Sequence, residues 1–162
     1  MQRNFLWIPL AAIALAGVLL SLYSVWPTLF PAVVAVAPLV PDCDLREADC
    51  TAVLPGGGKV RFAIDPRSIP VLKPLDLTVH VDGIQTRRVS VDFAGTDMNM
   101  GYNRVALESR GTGQWKGQAS LPVCVRSRMT WEARVLLETD IGIMAAPFRF
   151  DTFTPTASEW TP

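Results

Sequence analysis

Leu75-Asp76-Leu77-Thr78-Val79-His80-Val81-Asp82 alternates strictly between apolar and polar side chains. Successive side chains of a strand point to opposite faces, so this octet reads as a half-buried β-strand with its apolar residues on one face. The same period recurs on both sides. Val60, Phe62 and Ile64 alternate with Arg61, Ala63 and Asp65, and Val89, Val91 and Phe93 alternate with Arg88, Ser90 and Asp92. Further strands are predicted at 104–109, 114–121, 129–138 and about 143–150, the third with Trp131, Ala133, Val135 and Leu137 on one face. Turn residues punctuate the intervals: Pro66, Pro70 and Pro74, then Asp82-Gly83, Gly111-Thr112-Gly113, and Asp140 with Gly142. Seven short strands at this spacing, with no helical period after residue 26, predict a mainly β fold. The expected architecture is an antiparallel immunoglobulin-like β-sandwich over residues 42–152. A Thr-, Pro- and Ser-rich stretch begins at Thr152, and 153–162 is expected to be a flexible tail.

Upstream of the strands the composition changes. Residues 5 to 40 carry no charged side chain. Phe5 to Val25 is an uncharged run of 21 residues, about 30 Å as a helix and thus the thickness of a bilayer's hydrocarbon core. Trp7, Tyr23 and Trp26 lie near its ends, and Arg3 precedes it. Interfacial aromatics and a positive N-terminal flank predict a transmembrane anchor over 1–26, with the N-terminus inside and the β-domain extracytoplasmic. A cleaved signal peptide is the competing reading; its nearest small-x-small site, Ala35-Val36-Ala37, lies far downstream and is followed by Pro38. Pro27, Pro31, Pro38 and Pro41 predict an extended apolar stalk over 27–41. Val33, Val34, Val36, Leu39 and Val40 would be costly to leave in water, which sets this stalk in the interface or against the domain.

Lys+Arg and Asp+Glu both number 15 and are interspersed. No basic stripe tracks a phosphate backbone, and nucleic acid is excluded as a partner on that ground. The single histidine, His80, sits on the polar face of its strand and reads as a solvated surface residue. With no Ser-His-Asp set, phosphate loop or paired carboxylates in the sequence, the chain is not expected to be an enzyme.

Three cysteines leave at least one outside any internal pair. Cys43 and Cys50 are expected to form a disulfide. On a helix their separation would be about 10 Å, beyond disulfide reach, so the pairing demands a compact loop. Their spacing does not match the tight spacing of zinc motifs. The third cysteine, Cys124, remains.

Asp97-Met98-Asn99-Met100-Gly101 is the most unusual segment. Inward residues are odd-numbered up to Phe93, whereas both methionines are even, so either the chain turns near Gly95 or they face away from the core. They then either fill a corner as adaptable packing residues or act as two thioethers suited to Cu(I). If Gly111-Thr112-Gly113 closes a hairpin, Arg110 pairs with Gln114, and extending that register sets Met100 opposite Cys124, with Met98 two residues further out. A bulge or a looped-out Gly101 to Asn103 would break the extension. Met98, Met100 and Cys124 are therefore the candidate soft-metal ligands. Met129 shares parity with Trp131 and Val135, Met144 with Phe148 and Phe150, and both read as core.

Met98-x-Met100-Gly101, then Gly111-x-Gly113-x-Trp115-x-Gly117, then Trp131 in an alternating strand, resembles the YtkA-like and FixH-like extracytoplasmic domains of bacteria. The resemblance covers roughly Asp92 to Leu137. It implies a transmembrane helix joined to a small immunoglobulin-like sandwich in the bacterial cytoplasmic membrane, with the domain in the periplasm. It further implies a role in copper handling or haem–copper oxidase assembly, with a membrane oxidase or a copper-carrying protein as partner. Two features depart from the family pattern: Leu121-Pro122-Val123-Cys124 adds a cysteine, and Arg128-Met129-Thr130 stands before the tryptophan where a Gly-x-Trp turn is usual. The alternative function is a metal-free structural or protein-binding module.

Overall fold

The computed structural model describes residues 7–29, 32–123 and 127–153, and on its helix the side chains from Pro9 to Ser24. Two compact units divide the chain, the first ending at Ala32 and the second beginning at Val33.

The first unit holds α1, Trp7–Leu29, which carries no charged residue. Pro9 falls in its first turn, where a missing N–H costs no intrahelical bond. The helix runs on through Pro27 to Leu29, three residues into the predicted stalk. Every described side chain on it is exposed, including Leu10, Ile13, Val18, Leu20 and Leu22. Among the described residues no helix is long and apolar enough to cross a membrane. The side chains from Pro9 to Ser24 account for only about 24 Å of helix, short of the ~30 Å of a hydrocarbon core.

The second unit is a curled nine-stranded sheet. In chain order the strands are β1 Val33–Val36, β2 Cys50–Val53, β3 Lys59–Asp65, β4 Leu75–Asp82, β5 Arg88–Gly95, β6 Arg104–Ser109, β7 Gln114–Ala119, β8 Arg128–Thr139 and β9 Gly142–Phe153. Across the sheet the order is β1-β9-β8-β5-β6-β7-β4-β3-β2. All pairings are antiparallel except β1 with β9, which is parallel. The predicted alternation sets the faces: Val60, Phe62 and Ile64 are fully buried, as are Leu75, Leu77 and Val79 and, on the far side of the sheet, Val89, Val91 and Phe93.

Strand β6 passes between the two halves of the sheet. Arg104 to Leu107 pair with β5, whereas Glu108 and Ser109 pair with β7. The curl then brings the ends of the sheet face to face, so that Phe62 of β3 packs on Phe148 of β9 with ring centroids 5.5 Å apart.

Three segments differ from the sequence reading. Val33–Val36, assigned to the stalk, is a strand on β9, and Ala37 continues the pairing by donating its N–H to the Ala145 carbonyl at 2.8 Å. Ala37 is buried while Val33, Val34 and Val36 stay about half exposed. Cys50–Val53 adds a short edge strand that four residues of sequence could not announce. Thr152, where fraying was expected to begin, is buried, and its hydroxyl accepts a hydrogen bond from the Trp131 indole at 2.9 Å. Strand β9 continues to Phe153, and positions 154–162 lie outside the described residues.

Cys43 and Cys50 are joined in a disulfide with their Cα atoms 5.7 Å apart. The compact loop this requires is a turn at Asp44, whose carbonyl accepts from the Glu47 and Ala48 amides and whose side chain accepts from the Arg46 amide. Leu45 drops from that turn into the core.

Candidate methionine site

The loop joining β5 to β6 carries Met98 and Met100. Strand β5 ends at Gly95, but Thr96 stays tied to β8: its N–H donates to the Thr130 carbonyl at 3.1 Å and its hydroxyl at 3.2 Å. The chain then turns, held by the Gly101 amide donating to the Asn99 side-chain oxygen at 2.8 Å. It returns to the sheet at Asn103, whose carbonyl accepts from the Phe93 amide at 2.8 Å and whose side-chain amide donates to the Ser120 carbonyl at 3.1 Å.

This turn resolves the parity of the methionines. The chain leaves the strand at Gly95, and Met98 and Met100 are half-buried against the edge of the core rather than pointing away from it. Both line an open concavity of about 420 Å³ together with Ala94, Gly95, Thr96, Asp97, Asn99 and Gly101.

Gly95 holds the site together. It follows Val89, Val91 and Phe93 on the inward face. A Cβ there would overlap the Met129 methyl, approach the Met98 carbonyl oxygen to 2.6 Å and the Met100 Cγ to 3.1 Å. A side chain at 95 would therefore crowd both Met100 from the loop and Met129 from β8. Met129 is 2% exposed, so its parity reading as a core residue holds, but its methyl approaches the same glycine as Met100. Spacing alone gave no sign of this. The available signal was a glycine at an inward strand position, which often marks close approach of another group.

The hairpin register is as read from the sequence over its first rungs: Arg110 donates to Gln114, Ser109 pairs with Trp115 and Glu108 with Lys116. Gly111 and Gly113 both have positive φ, and a Cβ at Gly113 would run into the Val81 carbonyl oxygen. Past Glu108 strand β6 turns to β5, so the ladder does not extend to Met100. Cys124 lies outside the described residues.

His80 is partly exposed, with Nε2 3.2 Å from an Asp82 carboxylate oxygen. Met144 is buried opposite Leu137. Among the described residues no group of three or more His, Cys, Asp and Glu could hold a metal ion, and the concavity is lined by Met98 and Met100 together with the polar residues Thr96, Asp97 and Asn99. Thioether sulfur suits Cu(I) and is a poor ligand for hard cations.

No protein-family model, curated protein or solved structure matches this chain.

Proposed function

We propose that the chain is a non-enzymatic, membrane-anchored accessory protein whose extracytoplasmic domain, an immunoglobulin-like sandwich, handles Cu(I) in copper supply or haem–copper oxidase assembly. The observation that carries this reading is the placement of Met98 and Met100 side by side on an open concavity at one end of the sheet. Thioethers that only pack would gain most from full burial, whereas these line a surface that a small soft ion can reach. Cys124, five residues before Met129 in the sequence, is the candidate thiolate of the same site.

The anchor is argued from α1. An uncharged helix of 23 residues with Leu10, Ile13, Leu15, Leu19, Leu20 and Leu22 exposed would cost a large hydration penalty in water, and lipid removes it. The disulfide supports the compartment, since such bonds persist outside the cytoplasm. The sandwich is argued from the Phe62–Phe148 contact between the two halves of the curled sheet. A resemblance to the YtkA-like and FixH-like domains points to a membrane oxidase or a copper-carrying protein as partner. The test is a competition titration of the full chain against a Cu(I) chelator.

A second reading is favoured by the packing of Met98 and Met100 against the edge of the core beside Gly95: the methionines are corner packing, and the domain is a metal-free binding module. It differs in outcome, because truncating packing residues costs stability and leaves copper affinity unchanged.

A further inference from the structure

We infer that Met129 supplies a further thioether to the Met98/Met100 site and that Gly95 is the positioning residue that admits it. The inference rests on the copper reading above and adds to it a ligand that sequence spacing assigns to the core. Met129 comes from β8, the strand paired with β5, and its methyl lies on the side of Gly95 that also faces the Met98 carbonyl and Met100 Cγ of the loop. Gly95 lines the concavity, and a Cβ there would come within 2.3 Å of the Met129 methyl, so the absent Cβ leaves that methyl next to the glycine that Met98 and Met100 flank on the concavity. The base of Met129 is held by the core. Its neighbour on the same face, Trp131, is fully buried and bonded to Thr152, and Phe93 and Phe150 pack edge to face beside the strand. One thioether from a buried strand position and two from the β5–β6 loop make a donor set suited to a soft ion. Neutral sulfur donors also select oxidation state, since Cu(II) favours nitrogen and oxygen ligands.

The experiment uses the full chain in detergent micelles with its methionine methyls labelled with carbon-13, titrated anaerobically with Cu(I). Coordination by a thioether shifts the attached methyl signal directly, so Met129 reports on itself without being mutated, and Met144, buried elsewhere, serves as the internal control. The methyls of Met98, Met100 and Met129 are expected to shift together while Met144 stays still. Met129→Leu, a volume-conserving change that cores tolerate, should weaken Cu(I) binding about tenfold and remove one sulfur from the count by X-ray absorption. Gly95→Ala, which keeps every sulfur, should weaken binding by about tenfold through displaced ligands. If Met98 and Met100 shift but Met129 does not, and Met129→Leu keeps the sulfur count, the inference falls and the copper reading stands. If no methyl shifts and no Cu(I) is retained, both fall.

Discussion

Phe62 on β3 and Phe148 on β9 lie one strand in from opposite edges of the sheet order, yet their rings pack at 5.5 Å. This contact ties the two halves of the curled sheet, and both side chains are essentially fully buried. Phe148→Ala should therefore cost about 3–5 kcal/mol by lost transfer energy and a residual cavity. Urea unfolding of the variant checks it; a loss under about 1 kcal/mol would mean that the halves do not depend on this contact.

The disulfide closes a loop at the entrance to the β-domain. Cys43→Ser/Cys50→Ser should lower stability by about 2.5 kcal/mol on chain-entropy reasoning, and reduction of the wild type should do the same. Mass mapping of the unreduced chain should recover Cys43 linked to Cys50, and a crosslink from either to Cys124 would contradict the assignment.

Two carboxylates on the outer face of β8 and β9, Glu132 and Asp151, are held in ion pairs with neighbouring arginines. Burial works to raise the pKa of Glu132, but the hydrogen bonds and charges of Arg134 and Arg149 outweigh it and hold the group below its ordinary value. Burial likewise works against Asp151, and Thr130, Arg128 and the charge of Arg46 overcome it. Both groups are more acidic folded than unfolded, so the stability they contribute is fully present above about pH 5 and is lost as pH falls through about 4 and below. Glu132→Gln should be less stable than wild type at pH 7 and the difference should shrink by about pH 3. Chemical unfolding across that range reads the difference directly; a gap that widened on acidification would reverse the sign argued here.

The proposed topology rests on an uncharged helix and a positive N-terminal flank. A phosphatase that is active only outside the cytoplasm, fused after Phe153, should be active in cells. Activity of a cytoplasm-only reporter at the same junction would contradict the orientation.

Strands β3, β4 and β5 were legible because each has a buried and a more solvated face, which writes a period of two into Val60 to Ile64, Leu75 to Val81 and Val89 to Phe93. Strand β1 was not, because Val33–Val36 has no alternation and its partner β9 stands more than a hundred residues away. Local pattern carries no information on such a pairing. The hairpin at Gly111 to Gly113 gave the right register for Ser109 and Glu108, but the departure of β6 to β5 at Leu107 is a tertiary choice that the turn does not encode. Likewise Met98 and Met100 were visible as a methionine pair, whereas the approach of Met100 and Met129 to one glycine depends on the missing side chain at Gly95 and on β5 lying beside β8.

Cu(I) affinity of the full chain, measured by competition with a Cu(I) chelator under reducing conditions, tests the central claim most directly. Wild type should bind about one Cu(I), and Met98→Leu/Met100→Leu, which keeps apolar bulk at the edge of the core, should bind about a hundredfold or more weakly, a difference of about 2.7 kcal/mol. Equal affinity of wild type and the double variant, with both folded, would contradict the account and leave the methionines as packing residues of a metal-free module.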